Sequence, residues 1–293
     1  SPPRQLPAPE PCFLHREQEL AWLNERLHPG TVAAVCGPGG MGKSALAAQA
    51  VSKLEPARFP DGILFHSFYH QPKVEAALHG ICAALQVQAQ AGLESAVQQA
   101  LSGRKALLIL DGAEEADDLP ALLRLRGSCG VLITSRKRSD ALTERLDLKP
   151  LDEQPAEAVF LRYSGLVSDA ESVQGICTLL GGWPVALRIA GRYISSTGES
   201  AADYLKWLRQ EPFKELASGT HQEENAALLL RRSVAQVSDD ARLALGVAGM
   251  PIPWGVLPWG SFLWEGGVSS LSRELMEAIL DCDEYRARNA LNE

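Results

Sequence analysis

Two hydrophobic rhythms alternate through the first half of the chain. One is a set of short, nearly unbroken apolar runs: Thr31-Val32-Ala33-Ala34-Val35-Cys36, Gly62-Ile63-Leu64-Phe65-His66-Ser67-Phe68, Ala106-Leu107-Leu108-Ile109-Leu110-Asp111 and Gly130-Val131-Leu132-Ile133-Thr134-Ser135-Arg136. Runs of this length, bounded by glycine or charge, fit strands buried on both faces of a parallel sheet. A fifth strand is expected near Arg145 to Leu151. The other rhythm spaces apolar residues three and four apart, as one face of a helix does. It appears at Leu20, Leu23 and Leu27, then from Lys43 to Leu54 (Leu46, Ala47, Ala50, Val51, Leu54). It returns at Val74, Leu78, Ile81 and Leu85, and from Leu93 to Leu101. Strand and helix in repeated alternation predict a parallel α/β sheet.

From Asp152 the strand signal stops. Ala156 to Tyr163, Glu171 to Leu180, Pro184 to Ile194 and Ala202 to Leu208 read as helices, with Gly181-Gly182-Trp183 separating the second from the third. Pro184 suits the first position of a helix, where its missing N–H has no partner to lose. The stretch from Gly198 to Asn225 is polar and reads as loop-rich. Helical spacing resumes from Ala226, interrupted by Pro251-Ile252-Pro253-Trp254-Gly255-Val256-Leu257-Pro258-Trp259, which cannot be a regular helix. Leu271 to Leu280 and Tyr285 to Leu291 are two further helices. Proline at 2, 3, 7, 9 and 11 makes residues 1–11 an extended linker without a core of its own. The chain thus divides into a linker (1–11), an α/β domain (12–151), a helical domain (152–215) and a third segment (226–293).

Composition changes this picture little. With 293 residues, 46% hydrophobic and 22% charged, the chain is an ordinary globular one and long for a single core. No apolar run approaches the 18 residues of a membrane span, and no signal peptide opens the chain. The six cysteines show no C-x-x-C spacing, which points to a reducing, cytoplasmic setting without zinc. His66, His70 and His79 do not share one face of an element and read as structural. A net charge of −8 argues against a broad nucleic-acid surface. The start at Ser1 rather than Met is expected of a fragment.

The chemistry gathers around Gly37-Pro38-Gly39-Gly40-Met41-Gly42-Lys43-Ser44, which fits G-x-x-x-x-G-K-[ST] between a strand and a helix. Glycines let the backbone turn its N–H groups inward as a nest for phosphate oxygens, and the helix N-terminus adds partial positive charge. Lys43 reaches β- and γ-phosphates, and the Ser44 hydroxyl ligates Mg²⁺. Asp111 ends a buried strand at the edge where open α/β sheets bind ligands, so it is the second candidate for Mg²⁺. Glu114 and Glu115 follow, and either one is a candidate base for an attacking water; a solvated acidic turn is the plainer alternative. Arg136, at the end of another strand, is placed to reach a γ-phosphate; a solvated basic turn with Lys137 and Arg138 is the alternative.

With those residues in view, the chain resembles the NB-ARC class of STAND signalling ATPases, which includes plant disease-resistance receptors, apoptosome scaffolds and bacterial regulators. Five motifs stand in that family's order. Phe13-Leu14-His15-Arg16-Glu17 resembles its hydrophobic–hydrophobic–Gly–Arg–Glu motif. Gly37 to Ser44 resembles Walker A, and Leu107 to Asp111 resembles Walker B. Ile133-Thr134-Ser135-Arg136 is similar to its sensor motif. Gly182-Trp183-Pro184 with Val185-Ala186-Leu187 is similar to its Gly-x-Pro motif. Two positions depart: His15 stands where the family has Gly, and Gly112 where many members have a second Asp. The string Asp111-Gly112-Ala113-Glu114-Glu115 is closer to the sister NACHT class.

The resemblance implies a P-loop sheet, a helical domain and a winged-helix domain. It implies ADP or ATP with Mg²⁺, held by Leu14, Arg16, Gly39, Gly40, Met41, Gly42, Lys43, Ser44, Ala45 and Pro184, and slow hydrolysis through Asp111, Glu114 or Glu115, and Arg136. It further implies an attached effector domain, a repeat-type sensor domain, homo-oligomers in the ATP state, and immune or other signalling in the cytoplasm. The family's winged-helix histidine is missing, since His221 lies too early, which again suits a truncated chain. Two other functions compete. A winged-helix DNA-binding regulator would need a basic surface, but from Arg231 to Glu293 six basic residues face nine acids. A metabolic P-loop kinase would leave the Gly-x-Pro and winged-helix segments without a purpose.

Overall fold

The protein is described by a computed structural model over residues 2–6, 9, 13–69, 71–89, 92–140, 144–167 and 169–210, with 229 and 232. Five strands, β1 (Val32–Cys36), β2 (Ile63–Ser67), β3 (Leu107–Asp111), β4 (Gly130–Ser135) and β5 (Glu144–Asp147), form one sheet in the order β2-β3-β4-β1-β5. Every pairing is parallel. All residues of β1, β3 and β4 are buried, as their unbroken apolar runs require.

The period of two divides those strands between two layers. Val32, Ala34, Leu108, Leu110, Val131 and Ile133 join one core cluster with α3 (Val74–Leu85), α4 (Leu93–Leu101) and α5 (Leu119–Arg124). On the other side α2 (Lys43–Ser52) runs along β1 and β4 with α1 (Glu17–Arg26) beside it, burying Leu23, Leu46, Ala47, Ala50 and Val51. Each fully buried Leu or Ile contributes roughly 1.5–3 kcal/mol. Strands only five or six residues long are therefore held by their side chains on both faces.

Two expectations change at the sheet edges. The N-terminal stretch is not wholly a free linker, because Arg4 bridges Ile63 of β2. The Ile63 amide donates to the Pro3 carbonyl (2.8 Å), and the Gln5 amide donates to the Ile63 carbonyl (2.9 Å). This short bridge covers backbone groups that an edge strand would otherwise leave open. At the opposite edge β5 stops at Asp147 rather than Leu151. Pro150 lacks a ladder N–H and restricts Lys149 before it.

Past Asp152 come α6 (Glu153–Ser164), α7 (Ala170–Leu179), α8 (Pro184–Thr197) and α9 (Ala201–Gln210). α6 packs on α7 and α8, and α7 on α9. The α6–α8 contact is close at Gly191, where a Cβ would lie 2.8 Å from that of Tyr163 and 3.1 Å from the Phe160 carbonyl oxygen. The helix expected from Ala202 to Leu208 is present as α9, so the loop-rich reading from Gly198 does not hold across Ala201–Gln210. There α9 buries Tyr204, Leu205 and Leu208 at helical spacing. The chain divides into two units, Ser1–Ala226 and Ala227–Glu293. The second holds the expected winged-helix segment and lies outside the described residues apart from 229 and 232.

Candidate functional site

β3, β4 and β1 are neighbours, so Asp111, Ser135 and Cys36 end side by side at one edge of the sheet. The loop from Gly37 to Gly42 leaves from that edge and feeds α2, with Gly40 (φ +72) and Gly42 (φ +86) in the left-handed region that glycine tolerates. Its first amide is tied to β4, Gly37 N donating to the Ser135 carbonyl at 3.1 Å. Lys43 opens α2 with its ammonium buried and donating to the Pro38 carbonyl at 2.9 Å. Burial pulls the Lys43 pKa below its ordinary value, while Glu114 works against that shift and Arg136 adds to it.

Across 67 residues of sequence, the Ser44 hydroxyl donates to Oδ1 of Asp111 at 2.6 Å. The buried Thr134 hydroxyl donates to the same oxygen at 2.6 Å and accepts from the Gly112 amide at 3.0 Å. Thr134 thereby fixes the Asp111 carboxylate from behind, while Ser44 is open to solvent. A hydroxyl and a carboxylate, both hard oxygens this close together, fit Mg²⁺, which takes one or two protein oxygens and fills its octahedron with phosphate and water. Among the described residues no group of three or more His, Cys, Asp and Glu side chains is arranged to hold a metal. An ion here would therefore arrive with a phosphate rather than sit in a cage of side chains.

The two glutamates separate cleanly. Glu115 is exposed, whereas the Glu114 side chain is only 4% exposed and turned into the site. Its carboxylate accepts from the Tyr69 hydroxyl (2.8 Å) and the Arg136 amide (3.0 Å), and pairs with Arg136 Nε (3.1 Å). Lys137 Nζ donates to the Glu114 carbonyl at 3.0 Å. Burial pushes the Glu114 carboxyl up, but bonds from its own amide, Tyr69 and the Arg136 amide, together with the charge of Lys43, outweigh it. The group is held below the usual carboxylate range. Burial and the facing Glu114 raise the Tyr69 phenol, which stays a donor. Arg136 also lies over the Tyr69 ring, 5.6 Å from its centroid.

Both departures from the family pattern have a local cause or consequence. Gly112 has φ +71, and a Cβ there would lie 2.7 Å from the Tyr69 ring, so a side chain at that position strains the backbone and requires the ring to move. His15 takes φ +55, a conformation that glycine adopts without penalty. Leu14 before it is half-buried. Arg16 is buried and donates to Glu19 (2.8 Å) and to the Lys149 carbonyl (2.8 Å), linking α1 to the segment that leads into α6. The Gly182-Trp183-Pro184 turn reaches the phosphate loop itself. The Trp183 indole donates to the Gly39 carbonyl (3.0 Å) and the Val185 amide to the Gly40 carbonyl (3.2 Å).

The structure thus gathers Gly39, Gly40, Met41, Gly42, Lys43, Ser44, Ala45, Asp111, Glu114 and Arg136 at one sheet edge, with Pro184 between the two residues that bond the loop and Glu115 left outside. Sequence reasoning gave no role to Tyr69, Thr134 or Trp183. For Tyr69 the available signal was its place just past the carboxyl end of a strand. A groove of about 490 Å³ between α3, α4 and α5 lies elsewhere and is rimmed by Glu75, Glu94, Asp117 and Asp118. Its charge would repel phosphate, and two of those acids are occupied with amides, Asp117 with Val74 and Asp118 with Ala121.

The fold is that of the P-loop NTPases. Residues 26–138 match the AAA domain family. The chain is 29% identical to the regulatory protein AfsR of Streptomyces griseus over 66% of its own length, and that match spans 22% of the relative. Among solved structures it is similar to a STAND protein with a tetratricopeptide repeat sensor from Pyrococcus horikoshii. The TM-score is 0.57 at 14% identity, covering 97% of this chain and 39% of the other. It is also similar to the Orc1 protein of Aeropyrum pernix, solved in complex with DNA, at a TM-score of 0.50 and 17% identity over 96% of this chain and 83% of the other. At these identities the structural likenesses speak for the fold alone. Among the described residues no helix is long and apolar enough to cross a membrane.

Proposed function

We propose that the chain is the nucleotide-controlled switch of a larger signalling or regulatory protein. ADP or ATP with Mg²⁺ occupies the loop from Gly37 to Ser44, beneath the Gly-Trp-Pro turn of the helical domain. The observation that carries this reading is the convergence of Ser44, Asp111 and Thr134 on one carboxylate oxygen beside a phosphate-binding loop. Bound nucleotide supplies the phosphoanhydride, and Mg²⁺ neutralises its charge. Lys43 gives up the Pro38 carbonyl for phosphate oxygens. Asp111 and Ser44 hold the metal, and Thr134 keeps Asp111 in place.

Glu114 is the base that takes a proton from the attacking water, and Arg136 senses the γ-phosphate. Because Arg136 is paired with Glu114, ATP must compete for the arginine, which keeps hydrolysis slow and separates the ATP state from the ADP state. ATP then favours assembly of the parent protein through parts that include its effector and sensor domains. The likeness to AfsR, of which this chain spans 22%, supports a regulator as parent. DNA contact is not assigned to this chain, given six basic residues against nine acids from Arg231 onward.

Chromatography of nucleotide released from the purified chain by acid tests this reading. ADP or ATP is expected. A chain that purifies empty and fails to bind either nucleotide at millimolar concentration overturns it. Tight, salt-sensitive DNA binding lost in Arg286→Ala or Arg288→Ala would favour the DNA-binding regulator instead.

A further inference from the structure

Helix α8 begins against the phosphate loop. The first N–H groups of any helix have no partner within it. Here Pro184 has none to satisfy, and the next, Val185, donates to the Gly40 carbonyl at 3.2 Å. One residue earlier the Trp183 side chain, 3% exposed, donates its indole N–H to the Gly39 carbonyl at 3.0 Å. The fit is tight, since a Cβ on Gly40 would lie 2.4 Å from Val185 Cγ1 and 2.7 Å from Trp183 Nε1. The same turn is tied to the crossover from the sheet, Leu151 N donating to the Gly182 carbonyl at 2.8 Å. Gly182, Trp183 and Val185 therefore hold the start of α8 to the phosphate loop and to the crossover that leaves the sheet.

A peptide unit carries its N–H and C=O on opposite sides. A loop that turns amides inward around a phosphate turns its carbonyls outward, and those of Gly39 and Gly40 are the ones engaged. Resting on the nucleotide reading above, we propose that Trp183 is a positioning residue that latches the helical layer to the phosphate loop. With phosphate in the nest, the two carbonyls are held where the indole and the Val185 amide meet them, and α6–α9 stay docked. When the loop empties and relaxes, the acceptors shift and the latch loosens. The nucleotide is thus retained by a side chain that need not touch it.

The test compares the intact chain with Trp183→Phe, which keeps the ring and deletes the donor. Three readouts are equilibrium ADP·Mg²⁺ affinity, the release rate of a fluorescent ADP analogue after a chase, and backbone hydrogen exchange over residues 183–190 with and without ADP. The latch predicts that Trp183→Phe still binds ADP but releases it about three- to tenfold faster, the range expected for loss of one net hydrogen bond. It also predicts that ADP slows exchange at the start of α8 in the native chain and much less in the variant. A purely structural role would lower the melting temperature equally with and without ADP, whereas the latch requires a larger drop with ADP. If the Phe variant does not fold, Trp183→Leu deletes the same donor and takes its place. Unchanged release and unchanged ADP-linked protection overturn the latch and leave the nucleotide site standing. Absence of ADP binding in the native chain overturns both.

Discussion

Arg136 and Glu114 form an ion pair, Nε to Oε1 at 3.1 Å, at the edge of the sheet where a γ-phosphate would arrive. In the proposed reading the pair joins the residue that senses the γ-phosphate to the base, so ATP competes with Glu114 for the arginine. The Arg136 side chain is 47% exposed, which screens the pair and keeps it breakable. Arg136→Ala is therefore expected to lower affinity for ATP about tenfold while moving ADP affinity by less than about twofold, because only ATP offers the third phosphate. Titrations of both nucleotides check this, and an equal loss for the two would remove Arg136 from the γ-phosphate.

The base proposed here is Glu114, the buried one of the two glutamates. Glu114→Gln should reduce ATP turnover by about a hundredfold with little change in nucleotide affinity, since a base acts in the transition state. Glu115→Gln, on an exposed side chain, should hydrolyse as the native chain does. Tyr69→Phe removes one of the bonds that orient the carboxylate and should lie between the two. Turnover with saturating ATP and Mg²⁺ distinguishes the three, and normal turnover by Glu114→Gln contradicts the assignment.

Gly112 tests the shape of the same corner. Its backbone is left-handed, and any side chain there must displace the ring of Tyr69. Gly112→Asp, which places at this position the acid that many members of the NB-ARC class have there, should destabilise the fold by about 1–3 kcal/mol. Denaturant melts measure this. A variant as stable as the native chain would mean that Tyr69 yields without cost.

Acid titration tests the Glu114 environment. Its pKa in the fold lies below the ordinary 4.5. Protonation is therefore harder in the folded than in the unfolded chain. The stability this group adds is fully present above about 4.5 and is lost as pH falls through the lower folded value. Glu114→Gln should consequently show a shallower loss of melting temperature below pH 5 than the native chain. Parallel curves would contradict the shift.

Much of this was legible in the sequence because local constraints are strong. Three fully buried strands, β1, β3 and β4, are near-continuous apolar runs, the edge strand β2 is buried only at Ile63 and Leu64, and α4 occupies the very span from Leu93 to Leu101 that its spacing marked. The phosphate loop is legible because glycine, lysine and serine at fixed spacing have one common use. What was not legible is long-range. Tyr69 meets Glu114 only because β2 and β3 are neighbours, and nothing in the sequence states strand order. Trp183 stands in the sequence only as the residue before Pro184 in a helix-breaking turn, until that turn is folded against Gly39, 144 residues earlier. Nor could the sequence choose between Glu114 and Glu115, since a single turn of backbone decides which one faces inward. The N-terminal pairing with β2 was hidden by its prolines, although Pro3 contributes a carbonyl and needs no N–H to do so.

The central claim is that Lys43 and its loop hold a nucleoside phosphate, and thermal melting with and without ADP·Mg²⁺ tests it most directly. Ligand that binds only the folded chain at a hundred times its dissociation constant adds about 2.7 kcal/mol, which is about 4–5 °C for a protein of this size. Lys43→Ala removes a buried charge, so its melting temperature without nucleotide can rise; the increment caused by ADP is the quantity to compare. The account predicts that increment in the native chain and its near-loss in Lys43→Ala. An equal increment in both chains, or none in the native one, would contradict it.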